Sequence, residues 1–91
     1  MNKSDLSDYI TLMEQFISGS ITPAYFEDRF IRMFLRDKRM FPQAIFDILQ
    51  DLFYYADMFT PNPDRPDDVS GDELLVRCRT SYGLLLGVLD A

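Results

Sequence analysis

The chain has 91 residues, of which 47% are hydrophobic and 26% are charged. This length favours one domain, and this composition is typical of a globular protein with a buried core rather than of a disordered chain. The net charge is −6 and the pI is near 4.3. Phosphate groups would repel such a surface, which argues against nucleic acid or an anionic membrane as the partner and favours a basic protein.

The residue types that are missing exclude several kinds of site. The chain contains no histidine, which removes the commonest general base, the usual Ser-His and Cys-His dyads and the commonest zinc ligand. The single cysteine, Cys78, cannot form an internal disulfide, as is usual in a reducing compartment. The N-terminus has no signal-peptide hydrophobic region, and no apolar run reaches the ~20 residues of a membrane span. We therefore expect a cytoplasmic protein without cofactor or catalytic residue.

The first predicted helix begins after Ser4, a candidate N-cap that places Asp5 in the favourable first turn, and ends near Gly19, which suits a C-cap. Apolar residues recur along it at helical spacing and predict its buried face. They are Leu6, Ile10, Met13 and Ile17, flanked by Tyr9 and Phe16.

The second helix has a strong start signal, because Thr22 is a candidate N-cap and Pro23 then occupies the first helical position. Its predicted inner face carries Phe26, Phe30, Met33 and Phe34. A basic stripe runs along the same helix and continues past its end: Arg29, Arg32, Arg36, Lys38 and Arg39. We interpret this stripe as a solvated face with favourable charge at a helix C-terminus, and leave open a second contact through Arg29, Arg32 and Arg36.

Pro42 should end the second helix and open the third. The predicted buried stripe of this helix is Ile45, Leu49, Leu52, Ala56 and Phe59, with Ile48 beside it. The opposite face carries Asp47, Gln50, Asp51, Tyr54, Asp57 and Met58. A tyrosine between carboxylates is unusual on a purely solvated face, so Tyr54 is a candidate interface anchor. The alternative is that Tyr54 or Tyr55 packs against a neighbouring helix.

Three prolines in the segment TPNPDRPDD exclude a helix or a central strand and predict a stiff, extended loop. Its carboxylates do not match an EF-hand, because Pro66 stands where the first acidic ligand should be, and we expect no metal. Catalysis by the adjacent acids Asp67 and Asp68 is also disfavoured, because neighbouring acids in such a loop are usually solvated.

Ser70 and Glu73 match a capping box, which starts the fourth helix. Its predicted inner stripe is Leu74, Cys78, Ser81, Leu85 and Val88, with Leu75, Tyr82 and Leu89 alongside. Gly83 and Gly87 either permit a close helix contact or fray the helix end. Four helices with mostly short connections predict an all-α fold, an antiparallel up-down-up-down four-helix bundle formed by residues 1–91.

The segment from Asp51 to Glu73 holds seven of the fifteen acidic residues of the chain. In the predicted bundle it joins the last two helices, so one end of the bundle should be a negative cap.

Two stretches resemble the colicin D immunity protein family, the bacterial self-protective colicin-like immunity proteins. They are FISGSITPAYF (Phe16 to Phe26) and DLFYYADMFTPNPDR (Asp51 to Arg65), and the resemblance extends over about residues 10–86. Asp57, Phe59, Pro61, Asp64 and Arg65 match their counterparts in the family prototype. Thr60 and Asn62 stand where the prototype carries acids.

The resemblance implies a helical bundle that binds a cognate toxin nuclease and covers its basic active site by imitating RNA. The sequence leaves the oligomeric state open, and a monomer that binds the toxin 1:1 is the simplest expectation. The toxin would be a colicin D-like, klebicin- or pyocin-type tRNase, or the toxin tip of a contact-dependent inhibition system. An alternative is a small acidic adaptor that binds a basic host protein. The expected toxin-binding residues are Asp51, Tyr54, Asp57, Thr60, Asn62, Asp64, Asp67 and Asp68.

Overall fold

The computed structural model describes residues 1–90, which form four α-helices: α1 (Ser7–Ile17), α2 (Pro23–Arg36), α3 (Gln43–Asp57) and α4 (Gly71–Asp90). α1 packs against α2 and α4, and α3 packs against the same two helices. α2 also contacts α4 across the bundle. The predicted all-α four-helix architecture is confirmed.

Side-chain contacts between the helices show that neighbours run antiparallel. Phe16, near the end of α1, stacks on Phe26, near the start of α2, with 4.5 Å between ring centroids. Tyr9, near the start of α1, meets Phe30 one turn further along α2, at 5.8 Å. The same reversal joins α2 to α3 and α1 to α4, through Phe34 with Phe46, Glu14 with Tyr82 and Lys3 with Asp90. This is the predicted up-down-up-down order.

Local signals placed three of the helix ends correctly. The Thr22 hydroxyl accepts a hydrogen bond from the backbone N–H of Tyr25 at 3.1 Å, as an N-cap does. The Ser70 hydroxyl likewise accepts from the N–H of Glu73 at 3.1 Å. Gly19 follows α1 with φ of +82°, the left-handed conformation that often ends a helix and that glycine adopts without strain.

Two other predicted helix starts were wrong. α1 begins at Ser7 with Leu6 as its N-cap, and no side chain caps it. Ser4 belongs instead to a separate turn, which Asn2 and Asp5 stabilise by exchanging hydrogen bonds between side chain and backbone. Asp5 therefore belongs to this turn and not to the first turn of α1. Pro42 is the N-cap of α3 rather than its first helical residue.

The core is one cluster of buried apolar side chains drawn from all four helices. On α1 the most buried side chains include Tyr9, Met13 and Phe16, whereas Ile10 and Ile17, predicted as central, are only partly buried. Tyr9 and Phe16 face the core because they pack on Phe30 and Phe26 of α2. Phe59 is partly buried, and Val88 is 36% exposed. Val88 lies near the end of α4, and α4 has 20 residues whereas its neighbour α1 has 11. The last turns of α4 therefore extend beyond the part that α1 covers.

Arg39 is not the solvated base that its sequence predicted. Its guanidinium donates to the carboxylates of Asp37 at 2.6 Å and Asp8 at 3.0 Å. It also lies over the rings of Tyr9 and Phe41, at 5.7 and 5.4 Å from their centroids. Arg39 thus ties the α2–α3 connection to α1.

Asp37 is the buried centre of this network, with its side chain 6% exposed. Besides Arg39, it accepts a hydrogen bond from the Tyr9 hydroxyl at 2.8 Å. Donation from Arg39 is the main reason that the pKa of Asp37 falls to about 2.

Within residues 1–90, none of the helices combines the length and the apolar character that crossing a membrane requires.

Two glycine substitutions should change stability in opposite directions. A Cβ on Gly71 would stand 2.9 Å from Cγ of Pro23, whereas one on Gly83 would have no neighbour within 4 Å. We expect Gly71→Ala to lower the free energy of unfolding by about 1 kcal/mol through overpacking. Gly83→Ala should raise it by about 0.5–1 kcal/mol through helix propensity. Urea titration checks both, and equal effects would contradict the close Gly71–Pro23 contact.

Replacing Arg39 should remove a partner from a buried carboxylate. We expect Arg39→Met to lower the free energy of unfolding by roughly 1–2 kcal/mol at pH 7, because Asp37 loses the charged donor that contributes most to its lowered pKa but keeps its other hydrogen bonds. Arg36→Met is the matched control, because Arg36 is exposed and should change stability by less than about 0.5 kcal/mol.

The same network predicts a dependence on acid. Because the folded-state pKa of Asp37 is lowered, its stabilising contribution is complete above about pH 4 and is lost as the pH falls to about 2. Arg39→Met should therefore lose less stability than the unmodified protein across this interval. Denaturant titrations at pH 4 and at acid pH measure the difference, and identical losses would show that Arg39 does not set the pKa of Asp37.

Candidate functional site

One end of the bundle collects acidic side chains from three helices and one connection. α3 ends there at Asp57, α4 begins there at Gly71, and the loop of residues 58–70 joins them. The start of α2 lies at the same end, since Pro23 contacts Gly71. We call this region the acidic end and define it by Glu27, Asp57, Asp64, Asp67, Asp68, Asp72 and Glu73.

The negative charge of the acidic end is not neutralised by ion pairs within residues 1–90. The ion pairs of this part of the chain are Lys3–Asp90, Arg32–Asp28, Arg39–Asp8 and Arg39–Asp37. None of them includes a carboxylate of the acidic end, although Arg65 lies in its loop. The predicted negative cap therefore keeps its charge.

Glu27 is a member of this end that the sequence prediction missed. It lies in the second turn of α2 and is partly buried. Its pKa is raised, first by desolvation and then by the negative charges of Asp28 and Asp57. The proximity of Glu27 to Asp57 arises because α2 and α3 run antiparallel, so the predicted topology was the signal that could have placed it here.

The prolines of residues 58–70 predicted an extended loop, but the structure shows a loop that is closed at its base. The N–H of Thr60 donates to the carbonyl of Val69, and the N–H of Val69 donates to the carbonyl of Met58, both at 3.0 Å. These bonds form a parallel bridge between Phe59 and Val69. The prolines stiffen the loop, but backbone pairing between residues nine or more apart decides its path.

Asp68 shapes the tip of this loop. One of its carboxylate oxygens accepts the backbone N–H groups of both Asp64 and Arg65 at 3.0 Å. Those donated hydrogen bonds are the main reason that the pKa of Asp68 is lowered. Asp68 is therefore an internal support of the loop as well as a negative group, while Asp64 and Asp67 are exposed.

Four other predicted site residues lie around the acidic end. Thr60 is partly buried, and its hydroxyl accepts from the N–H of Asn62 at 3.4 Å. Asp51 and Tyr54 lie on the side of α3, where they line a shallow pocket with Asp47 and Gln50. At ~1.5 Å of rise per helical residue, Asp51 is about 9 Å along the axis from Asp57. Asp51 and Tyr54 therefore form a separate patch on the side of α3, next to the acidic end.

The two adjacent tyrosines have different environments. Tyr54 is 64% exposed and touches Tyr55 edge to face at 6.1 Å. Tyr55 packs against α4, where the guanidinium of Arg77 lies 4.4 Å from its ring centroid. Tyr54 therefore points outwards, and Tyr55 makes the contact with the neighbouring helix.

Cys78 and two arginines of the basic stripe on α2 make contacts within the protein. Cys78 is buried, and desolvation raises the pKa of its thiol to about 12, which makes it a poor nucleophile. Among residues 1–90, no three acidic or cysteine side chains are grouped to hold a metal ion. Of the basic stripe on α2, Arg32 pairs with Asp28 and Arg29 lies over the ring of Tyr25.

Comparison with protein families matches residues 5–81 to the bacterial self-protective colicin-like immunity family. The matched range includes the first three helices, the whole acidic end and half of α4. The chain belongs to this family. No curated protein and no solved structure gives a significant match.

Membership assigns the protein a general role. Colicin-like immunity proteins bind and neutralise a cognate colicin, and they are inhibitors rather than enzymes. The predicted family is thereby confirmed, and the adaptor alternative is not needed.

The loop of this immunity protein should depend on Asp68 but not on its neighbour Asp67. Asp68→Asn replaces the charged acceptor of the N–H groups of Asp64 and Arg65 by a neutral one, which weakens both hydrogen bonds. We expect faster amide hydrogen exchange at those two residues, measured by NMR. Asp67→Asn removes the same charge and should leave both rates unchanged; equal acceleration in the two variants would show that charge alone orders the loop.

Proposed function

We propose that this immunity protein neutralises a toxin nuclease by covering its basic active site with the acidic end. The toxin would be a tRNase of the colicin D kind or the toxin domain of a contact-dependent inhibition system. A nuclease must attract phosphate, so its catalytic groove is basic. A folded protein that presents several fixed carboxylates can occupy such a groove in place of RNA.

The observation that carries this proposal is the group of carboxylates without ion-pair partners at the end of α3 and on the closed loop that follows it. Asp57, Asp64 and Asp67 are exposed and take part in no ion pair within residues 1–90. We assign them the role of phosphate mimics that face lysine, arginine or histidine of the toxin. Asp68 would contribute charge and hold the loop, while Thr60 and Asn62 would contribute uncharged contacts at the start of the loop.

The side of α3 would extend the contact beyond the acidic end. Tyr54 presents a large exposed ring beside the carboxylate of Asp51. Tyrosine is common among the residues that dominate binding, because a rigid ring covers much area at little entropic cost. We propose that Tyr54 packs on the rim of the groove and that Asp51 meets a peripheral base there.

The closed loop favours a long-lived complex. Its base is paired through Thr60 and Val69, and its tip is held by Asp68. The entropic cost of ordering these carboxylates is therefore met when the protein folds rather than when it binds. An interface of standard size, about 1,600 Å², can then be tight when its few anchors are desolvated. We propose a 1:1 complex formed in the cytoplasm of the producing cell.

The test is co-expression with the nuclease domains encoded near this gene, scored by survival and co-purification. Once the cognate domain is identified, its catalytically inactive form allows kinetic measurements. Asp57→Lys and Asp64→Lys should each weaken binding at least about tenfold, or 1.4 kcal/mol, and make association slower and less sensitive to salt.

The control is Asp5→Lys, which changes the net charge equally at the other end, where the carbonyl of Asp5 accepts from Arg39. It should bind as tightly as the unmodified protein, and circular dichroism should show all three variants folded. Unchanged affinity in both acidic-end variants would rule out coverage by this end. A loss as large in Asp5→Lys would show that only net charge matters.

A further inference from the structure

An open apolar pocket lies within the acidic end. It has a volume of about 270 Å³ and is bounded by the start of α2, the first part of the loop and the start of α4. We call it the Phe59 pocket, and its lining residues are Thr22, Pro23, Ala24, Phe59, Pro61 and Gly71. Its walls are thus mostly carbon, although carboxylates dominate the surface around it.

The walls of the Phe59 pocket are rigid. Pro23 and Pro61 have fixed φ angles, and Phe59 is held in position by the backbone bridge with Val69. Gly71 lets the start of α4 approach Pro23 closely, since a Cβ there would lie 2.9 Å from the proline ring. The pocket therefore exists before any partner arrives, as a low-cost binding site requires.

The surroundings of the pocket indicate what kind of group enters it. Asp72 follows Gly71 directly, Asp57 precedes Phe59 by two residues, and Glu27 lies one turn after Ala24 on α2. An apolar side chain would therefore fit inside, and positive charges would fit around it. An engineered apolar cavity of about 150 Å³ holds a benzene ring, so the volume is sufficient for one large side chain.

We propose that the Phe59 pocket receives one large apolar side chain of the cognate toxin, carried by a segment with lysine or arginine beside it. This inference rests on the proposed function and names the second component of the same interface. Carboxylates attract any basic nuclease and set the association rate. A fitted apolar anchor excludes water at the centre of the contact, sets the lifetime of the complex and distinguishes the cognate toxin from other basic proteins.

Ala24→Leu tests the inference by filling the pocket. Ala24 is exposed, is the second residue of α2 and tolerates leucine because leucine forms helices well. We expect dissociation from the inactive cognate nuclease domain to become at least about tenfold faster, with the association rate unchanged, because the acidic charges are intact. Ala44→Leu is the matched control: Ala44 is exposed and second in α3, away from the acidic end, and should change neither rate.

A second pair of variants opens the pocket instead of filling it. Pro61→Ala removes one wall and should also speed dissociation, whereas Pro63→Ala in the same loop does not border the pocket and should not. This pair gives the answer if Ala24→Leu does not fold.

Surface plasmon resonance on these variants and on Asp57→Lys separates the inference from the proposed function. Normal dissociation of folded Ala24→Leu and of Pro61→Ala, with weak binding of Asp57→Lys, would show that the pocket is empty in the complex and overturn the inference alone. Normal binding by Asp57→Lys as well would remove the proposed function.

Discussion

The backbone pairing of Met58 and Thr60 with Val69 is the interaction on which the acidic end depends. It brings the end of α3 and the start of α4 together and buries Val69 in the core. It also fixes Phe59, which becomes a wall of the apolar pocket. Without this closure, a thirteen-residue connection (58–70) rich in proline and aspartate would extend into solvent, and its carboxylates would separate under their mutual repulsion. The same backbone pairing therefore fixes both the positions of the loop carboxylates and the shape of the Phe59 pocket.

The distribution of bases over the molecule complements this closure. Arg39 is engaged with Asp8 and Asp37 at the opposite end, Arg32 with Asp28 on its own helix, and Lys3 with Asp90. The raised pKa of Glu27 reflects desolvation first and then repulsion from the carboxylates of Asp28 and Asp57. The antiparallel core and the Arg39 network supply the stability against which this repulsion acts.

Charge and pocket would serve different stages of recognition. Carboxylates act over distances comparable to the Debye length, about 8 Å at physiological salt, and they do not discriminate among basic grooves. An apolar pocket acts only on contact and only on a side chain of suitable shape. Under the proposed function, the carboxylates would therefore attract any basic groove, and the pocket with Thr60 and Asn62 beside it would match one toxin.

The sequence by itself determined the number of helices, their antiparallel order and most of the caps, because these follow from periodicity and from hydrogen bonds that span three residues, as at Thr22 and Ser70. It also indicated the family, the acidic segment and the outward position of Tyr54. Only the tertiary structure decided the partners of Arg39, of which Asp8 is 31 residues away, the place of Glu27 beside Asp57, and the pocket made from three separate segments. Those features depend on how the helices are rotated and on how closely they approach one another. The hydrophobic periodicity of a sequence does not give the distance between residues that are far apart in the chain.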